Sequence, residues 1–202
     1  MMTNIDLTKL FLGATKGSIE FQEALDIVRS NSRGNYWLVG GFVYRSIASA
    51  LYGLDKPSVD LDFIVESTAE EISLPKSWKK KSNRYGNPKF IREDGLTIDF
   101  VPLKNVSSIR RRGLLATIEN FLTGTPLNVQ SIIYDVMHNQ IKGNIGIKAL
   151  LDKSVAVNDL EQAEIYSKLK GKPVNEIICE KALALGFTPV FYKTNKVGGK
   201  SN

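Results

Sequence analysis

The chain has 202 residues, 43% of them hydrophobic and 24% charged, which suits one globular domain with a substantial apolar core. A single cysteine and a single histidine, Cys179 and His138, exclude an intrachain disulfide and a zinc site made of thiolates or imidazoles. No apolar run approaches the roughly 18 residues of a membrane span, and the first residues lack a signal-peptide pattern, so we expect a cytoplasmic protein with no membrane-bound segment.

The N-terminal part predicts a helix, a strand and a second helix in succession. Apolar residues recur at helical spacing over residues 19–30 before polar residues end that helix. Residues 36–39 form a short apolar run typical of a buried strand, and residues 42–52 return to helical spacing before Gly53. We assign residues 1–34 to an N-terminal helical segment that precedes the main domain.

Gly40 and Gly41 stand between that strand and the second helix. Backbone without side chains at a helix N-terminus can approach a triphosphate closely, because the free N–H groups there bind anions. Arg45 lies one turn into the helix, where it could reach a phosphate oxygen. We therefore predict that Gly40, Gly41 and Arg45 bind the nucleotide, although a tight turn and a solvated arginine would also explain these residues.

The next strand, predicted at residues 59–65, carries two aspartates two positions apart, Asp60 and Asp62. Because side chains alternate along a strand, both carboxylates project from one face. There they repel and raise each other's pKa, a cost that a divalent cation removes. A bare D-x-D is common, so an exposed Asp60 with Asp62 capping a turn is the competing interpretation.

A third carboxylate, Asp99, lies on the second strand of a predicted hairpin. Residues 89–92 and 96–101 are apolar runs, and the glycine-containing turn between them is typical of a hairpin. Three aspartates on neighbouring strands would form an oxygen-rich site that suits Mg²⁺. Two such ions about 3.5–4 Å apart stabilise both the attacking and the leaving oxygen of a phosphoryl transfer.

The net charge of +6 and two basic runs favour a polyanionic partner. The run Lys76–Arg84 has Trp78 and Tyr85 interleaved, and these rings could stack on bases. Arg110–Arg112 is the second run. An RNA-binding surface and a solvated surface explain the first run equally well, and we expect it in a loop or short helix within residues 66–86.

The C-terminal half is predicted to be mainly helical. Helical spacing covers residues 113–122 and 127–138, and residues 145–157 indicate a short helix followed by a strand.

Two further helices follow. Asp159 and Gln162 resemble a capping box at the start of one helix, and the last helix runs from Pro173 to Gly186. We assign residues 158–190 to these C-terminal helices and expect residues 191–202 to be disordered.

Several segments resemble the head domain of bacterial tRNA CCA-adding enzymes and poly(A) polymerases, in the DNA polymerase β superfamily. Residues 38–43, Leu-Val-Gly-Gly-Phe-Val, match the L-V-G-G-x-V pattern of that head domain, and residues 60–65 match its D-x-D strand. Residues 126–135 are similar to its R-D-F-T-I-N-A-x-A-Y-D segment. The resemblance covers about residues 35–157. It implies an α+β nucleotidyltransferase fold, with a small mixed sheet flanked by helices and a helical C-terminal extension.

The resemblance also implies an activity, the metal-dependent transfer of a nucleoside monophosphate from an NTP to a hydroxyl acceptor, with an RNA 3′ end as one candidate. Asp60, Asp62 and Asp99 match the carboxylates that bind two Mg²⁺ ions, for which Mn²⁺ can substitute. Asp99 is also the expected base for the acceptor hydroxyl. The implied partners are an NTP and a tRNA-like RNA, the RNA bound through Lys76–Arg84 and Arg110–Arg112.

Departures from the family pattern leave alternatives open. Tyr44-Arg45 stands where the family has R-D, and Gly124-Thr125-Pro126 replaces its R-R-D segment, so a degenerate head domain could bind a nucleotide or RNA without catalysis. Residues 58–63 also match the S-x-D-L-D-F motif of compact nucleotidyltransferase toxins, so the acceptor could be a protein or a small molecule. No E-D-x-x-R neck motif follows residue 157, and we do not expect complete CCA addition.

Overall fold

A mixed seven-stranded sheet is the centre of the fold. The computed structural model describes residues 5–54 and 60–192. The strands of this sheet are β1 Ser32–Val39, β2 Leu61–Thr68, β3 Trp78–Ser82, β4 Pro88–Arg92, β5 Thr97–Pro102, β6 Ile133–Asp135 and β7 Gln140–Lys142. They lie in the order β3-β4-β5-β2-β1-β6-β7, with β2 and β5 parallel and the other neighbours antiparallel. A mixed sheet with flanking helices confirms the predicted α+β class.

The helices of the described residues flank this sheet or follow it. They are α1 Leu7–Thr15, α2 Ile19–Asn31, α3 Gly41–Tyr52, α4 Ser107–Arg111, α5 Ile118–Thr123, α6 Asn144–Leu151, α7 Leu160–Lys170 and α8 Val174–Leu185. A small second sheet pairs β8 Ser154–Val155 with β9 Thr188–Pro189 in parallel. Across residues 5–54 and 60–192, no helix has the length and apolar character needed to cross a lipid bilayer.

The two faces of the large sheet are covered unequally. On the first face, Leu61 and Phe63 of β2 belong to a large apolar core that includes residues of α1, α2 and α3. On the second face, Val39 of β1 and Ile64 of β2 belong to a smaller cluster that α4 and α5 complete. Because side chains alternate along a strand, Asp62 lies on this less covered second face.

The N-terminal predictions are confirmed for both helices and corrected for the strand. α2 and α3 span the predicted segments, and α3 ends where Gly53 adopts a left-handed conformation. β1 is longer than predicted, because residues 32–35 pair with β2 through an irregular, bulged register instead of forming a break. In this bulge the Glu66 carboxylate accepts hydrogen bonds from the backbone and the side-chain amide of Asn35.

The segment from 66 to 86 contains a strand that the sequence did not predict. β3 is an edge strand that pairs with β4 and so extends the predicted β4–β5 hairpin, which is confirmed. Trp78 anchors β3, since its ring is buried and its Nε1 donates to Glu23 Oε1 at 2.6 Å. The exposed lysines of Lys79–Lys81 hide the alternation that usually reveals a strand, and the predicted loop or short helix is wrong for these residues.

The helix predicted at residues 127–138 is wrong. This stretch forms a short 3₁₀ helix, Asn128–Gln130, followed by β6 and the turn that leads to β7. β6 pairs with β1 through Leu38 and Tyr134, so long-range strand pairing overrides the helical spacing of the apolar residues. His138 lies in the turn instead of near a helix end.

The helix predicted at residues 113–122 starts later than expected. Thr117 caps α5, its side chain accepting a hydrogen bond from the Asn120 backbone N–H, and residues 113–116 form a turn and loop. The preceding helix, α4, is a short one that the sequence did not predict.

The C-terminal elements follow the predictions closely. α6 and β8 form the predicted helix and strand, and α8 ends at Gly186 in a left-handed conformation. Asp159 caps α7 by accepting from the Gln162 backbone N–H, but the Gln162 side chain turns to Arg111 instead of completing a capping box. Tyr192 exchanges two hydrogen bonds with the Asn175 side chain, so predicted disorder does not begin at 191. Residues 193–202 lie outside the described residues, and the proposed domain boundaries stay predictions.

Candidate active site

A row of side chains crosses the second face of the sheet and brings two of the predicted carboxylates together. Asp62 of β2 lies opposite Asp99 of the parallel strand β5. Asp62 also lies opposite Val39, the last residue of β1, while Asp99 lies opposite Lys89 of β4. Because residues opposite each other in adjacent strands share a face, Lys89, Asp99, Asp62 and Val39 form one continuous row.

The third predicted carboxylate, Asp60, lies immediately before this row. β2 begins at Leu61, and the predicted first strand residue, 59, lies outside the described residues. The Asp60 side chain is exposed, and Thr97 Oγ1 donates a hydrogen bond to its Oδ1 at 2.5 Å. Asp60 is nevertheless close enough to raise the pKa of Asp62 through charge repulsion. The structure therefore brings all three aspartates to one end of the β2–β5 pair.

The Asp99 carboxylate is held by two partners from the neighbouring hairpin. Lys89 Nζ lies 3.1 Å from Asp99 Oδ2, and Asn83 Nδ2 donates to Oδ1 at 3.2 Å. Asn83 also accepts hydrogen bonds from the backbone N–H groups of Tyr85 and Asn87 in the turn between β3 and β4. The turn that carries Tyr85 is thus tied to Asp99.

Asp62 is the most perturbed carboxylate of the site. Burial raises its pKa to about 7, and repulsion from Asp99 and Asp60 adds to the shift, while Lys89 acts in the opposite direction. No hydrogen bond from the described residues stabilises its charged form. A cation beside this aspartate would restore its ordinary acidity.

The carboxylates are not arranged as a metal cage. Among the described residues, no group of three or more His, Cys, Asp and Glu side chains could hold a metal ion as placed. Asp60 and Asp99 are instead engaged by Thr97 and by the pair Lys89 and Asn83. The donor set itself consists of carboxylate oxygens with mutual repulsion, which is the chemistry that Mg²⁺ or Mn²⁺ satisfies.

Gly40 and Gly41 differ in whether the structure leaves room for a side chain. Gly40 has φ +74°, and a Cβ at this position would lie 2.5 Å from Asp62 Oδ2, so both its backbone conformation and the neighbouring carboxylate demand glycine. A Cβ at Gly41 would meet only Arg45 Nε and Tyr44 Oη, each at 3.9 Å. The first glycine therefore lets Asp62 approach the junction of β1 and α3. Arg45 lines neither of the two cavities at the site.

Two adjoining cavities lie along this second face. The first has a volume of about 390 Å³ and contains the carboxylate row, with Asp62, Asp99 and Lys89 in its wall. The second has a volume of about 260 Å³ and extends from Gly40 to α7. Arg84 and Tyr85 line both cavities, so the β3–β4 turn stands where the two meet. The two cavities are here called the carboxylate cavity and the α7 cavity.

Several residues of this site were not singled out by the sequence. Lys89 lies opposite Asp99 through strand register, Asn83 reaches Asp99 from the turn after β3, and Thr97 of β5 reaches Asp60 just before β2. Tyr85 was noted as a base-stacking candidate, and its ring is exposed with the Arg84 guanidinium 4.7 Å from the ring centre. Gln162 was interpreted only as a capping residue, although it lines the α7 cavity.

Comparisons with known proteins identify the fold. No family model and no curated protein matches the chain. Among solved structures, an apo form of a CCA-adding enzyme is 16% identical with a TM-score of 0.59, covering 93% of this chain and 43% of that one. The Bacillus stearothermophilus CCA-adding enzyme in complex with CTP is 19% identical with a TM-score of 0.53, covering 85% and 41%.

A third similar structure is the Thermotoga maritima CCA-adding enzyme complexed with tRNA, 16% identical with a TM-score of 0.54, covering 89% of this chain and 46% of that one. The chain spans less than half the length of each of these three enzymes. At such identities the similarity establishes the fold. The chain has a nucleotidyltransferase-like fold, similar to that of CCA-adding enzymes, as the resemblance predicted.

Proposed function

We propose that the chain is a metal-dependent nucleotidyltransferase that moves a nucleoside monophosphate from an NTP to a hydroxyl group, with an RNA end as the acceptor. The observation that carries this proposal is the pairing of Asp62 with Asp99 on adjacent parallel strands, in the wall of a cavity, with Asp60 one position before β2. Carboxylates that repel one another at a cavity destabilise the folded protein unless a ligand neutralises their charge. The nucleotidyltransferase-like fold is consistent with that ligand being a metal-bound nucleotide.

The carboxylates fit a divalent cation, Mg²⁺ or Mn²⁺. Asp60, Asp62 and Asp99 would hold it, because their oxygens are the ligands that these hard cations prefer and because Asp62 lacks a partner for its charge among the described residues. When bound, such ions neutralise charge on the attacking and leaving oxygens of phosphoryl transfer. Binding requires Asp99 to exchange Lys89 and Asn83, and Asp60 to exchange Thr97, for the cation.

The chain's own residues would position the reactants. Gly40 and Gly41 leave the N-terminus of α3 open to phosphate oxygens. The Lys89 ammonium would add positive charge beside the carboxylate row once its ion pair with Asp99 is broken. Asp99 is the proposed base that accepts the proton of the acceptor hydroxyl.

The basic edge of the sheet supports RNA as the acceptor. Lys81 of β3 lies opposite Lys89, so it continues the carboxylate row on the same face, and Lys79 lies two residues away on that face. Lys80 lies between them and points to the opposite side. Exposed lysines that lead to the carboxylates would contact the backbone of a nucleic acid strand, with Tyr85 available to stack on a base.

A labelling experiment tests the proposal. The full chain is incubated with each α-³²P-NTP, with Mg²⁺ or Mn²⁺, and with total RNA. We expect one NTP to label RNA, Asp62→Asn to abolish the label, and Lys81→Gln to weaken RNA binding more than the matched Lys80→Gln. Absence of label with every NTP and both metals, in RNA and in added protein lysate, would refute the enzymatic proposal.

A non-catalytic nucleotide- or RNA-binding domain is the second candidate. It is favoured by the absence of the family's R-R-D segment, since Gly124-Thr125-Pro126 stands in its place. The Arg112 guanidinium occupies the space beside Gly124. Binding of an NTP by the wild-type chain without transfer, unchanged in Asp62→Asn, is the result that would favour this candidate.

A further inference from the structure

The three arginines of the Arg110–Arg112 run have three different environments. Arg110 is exposed. Arg112 donates to the backbone oxygens of Ser108 and Asn120 and lies 3.8 Å from Asp159, so it fastens α4 to α5 and α7. Arg111 is also exposed, but it lines the α7 cavity and donates to Gln162 Oε1. A uniform RNA-binding run would not divide in this way.

The partner of Arg111 is itself incompletely bonded. Gln162 is 3% exposed, and its Nε2 is the one buried side-chain nitrogen or oxygen without a hydrogen-bond partner in the described part of the chain. Arg111 has only N–H donors to offer, and Gln162 Oε1 already accepts from it. Gln162 Nε2 is therefore a buried donor without an acceptor, at a cost that a ligand rich in acceptor oxygens would remove.

The charge of the α7 cavity also favours a ligand with negative oxygens. Its lining includes Arg84 and Arg111, and no aspartate or glutamate is among the described residues that line it. The cavity begins at Gly40, beside Asp62, and adjoins the carboxylate cavity. Carboxylates thus line only the first cavity, where Asp62 and Asp99 lie with Lys89 and Arg84, whereas Arg84 and Arg111 line the α7 cavity. A ligand with a row of negative oxygens, neutralised by a cation at one end and by arginine at the other, is complementary to this arrangement.

We propose that Arg111 binds the phosphate chain of the NTP, with Gln162 holding its guanidinium in the α7 cavity. This inference rests on the proposed function, because the phosphate chain belongs to the NTP that donates the nucleotide. It also accounts for the Gly124-Thr125-Pro126 segment. Gly124 carries no side chain and the Arg112 guanidinium occupies the space beside it, so Arg111, from α4, would supply the positive charge from a different element.

Binding measurements on the full chain, with inorganic tripolyphosphate and with NTP as separate probes, test this assignment. We expect Arg111→Ala to weaken both by roughly tenfold or more, the typical effect of losing a hydrogen bond to a charged group. Arg111→Lys should retain part of the affinity, since it keeps the charge but loses the planar donors. The matched control Arg110→Ala should stay within about twofold of wild type for both probes.

The outcomes separate the possibilities. Wild-type tripolyphosphate affinity in Arg111→Ala, or equal losses in Arg110→Ala, would overturn the assignment. A loss confined to NTP, with tripolyphosphate binding unchanged, would also overturn it, because Arg111 would then contact the nucleoside. Unchanged melting of the ligand-free Arg111→Ala variant is the check that the fold is retained, and Arg111→Lys serves as the test if it is not.

Failure of this inference is distinguishable from failure of the proposed function. If the wild type labels RNA and Arg111→Ala labels it with the same KM for NTP, the assignment of Arg111 fails while nucleotidyl transfer stands. If the wild type neither binds nor transfers any NTP, the proposed function itself fails.

Discussion

Two aspartates lie on either side of β1 on the same face of the sheet, and they have opposite environments. Asp62 of β2 lies opposite Val39, and Asp135 of β6 lies opposite Trp37. The Asp135 carboxylate is buried and fully engaged, with Lys142 Nζ at 2.6 Å and His138 Nδ1 at 2.9 Å. Asp62 has two other carboxylates as its neighbours instead.

The difference appears in the acidity of the two groups. Burial acts to raise the pKa of Asp135, but hydrogen bonds from Lys142 and His138 outweigh it and lower the pKa overall. Burial raises the pKa of Asp62 with no compensation beyond the distant effect of Lys89. Buried charge that the fold satisfies is structural, whereas buried charge that the fold leaves unsatisfied indicates a site for a ligand.

The largest effect expected from this comparison is on transfer. Asp62→Asn should lower nucleotidyl transfer by at least about 100-fold, as expected when a charge-stabilising group of the transition state is removed. Asp135→Asn should retain transfer at a temperature where it remains folded. Rates of ³²P incorporation under identical Mg²⁺ and NTP concentrations measure both. Equal losses in the two variants would mean that Asp62 is no more functional than Asp135.

The second effect is on stability, and here Asp135 should dominate. Asp135→Asn breaks a buried ion pair, which we expect to cost about 1–3 kcal/mol because Lys142 is partly exposed. Thermal unfolding should show a fall in Tm of roughly 2–10 °C for a chain of this size. Asp152→Asn, which removes the exposed pair with Lys148, is the matched control and should change Tm little. A Tm for Asp135→Asn that equals wild type would contradict the structural role.

The glycine pair offers a sharper version of the same contrast. Gly40→Ala forces a side chain into φ +74° and against Asp62 Oδ2, and we expect a cost of about 1–2 kcal/mol together with loss of transfer. A Cβ at Gly41 would meet nothing closer than 3.9 Å, and Gly41 lies at the start of α3. Gly41→Ala should therefore leave the free energy of unfolding unchanged or raise it slightly. Denaturant unfolding and transfer assays on both variants measure this; equal behaviour of the two alanines would count against the close approach of Asp62.

The smallest expected effect is the pH dependence of the metal-free protein. Because the pKa of folded Asp62 is raised from 3.8 to about 7, the folded state binds the proton more tightly, and this group destabilises the fold increasingly as pH rises from about 4 to 7. Asp62→Asn should therefore melt above wild type at pH 8 with EDTA, and no higher at pH 4. Asp135 acts in the opposite sense, since its lowered pKa contributes stability that is lost as pH falls below about 4.

Mg²⁺ with NTP should reverse the order at pH 8, raising the Tm of wild type and leaving Asp62→Asn nearly unchanged. Equal pH profiles for the two proteins in EDTA would show that Asp62 does not carry the perturbed charge.

Much of the centre of the fold could be predicted from local patterns. The strand, double glycine and helix of β1 and α3 were predicted, as was the β4–β5 hairpin, because apolar spacing and turn residues act over short distances. β3 was missed because an edge strand needs few apolar residues, and Trp78 alone anchors it. The wrong helix at residues 127–138 arose because β-branched residues at helical spacing pair with β1 from far along the chain.

The candidate site was predictable only in part for the same reason. The spacing of Asp60 and Asp62 places them on one face, and the parallel pairing of β2 with β5 brings Asp99 beside Asp62. The roles of Lys89, Asn83 and Gln162 depend on register and on packing between α4 and α7, which no local pattern encodes. The sequence also does not distinguish the structural Asp135 from Asp62, because each is an aspartate that follows apolar strand residues.

The edges of the sheet have a consequence for how the molecule behaves at high concentration. At one edge, the β7 backbone is engaged by α1, where Thr8 Oγ1 accepts from the Ile141 N–H. At the other, β3 pairs with β4 alone among the described strands and exposes Lys79–Lys81. Their charge repels the β3 edge of a second copy, and salt screens that repulsion over about 10 Å at 0.1 M. We expect neutral residues at these positions to promote aggregation through edge-to-edge strand pairing, most strongly in concentrated salt.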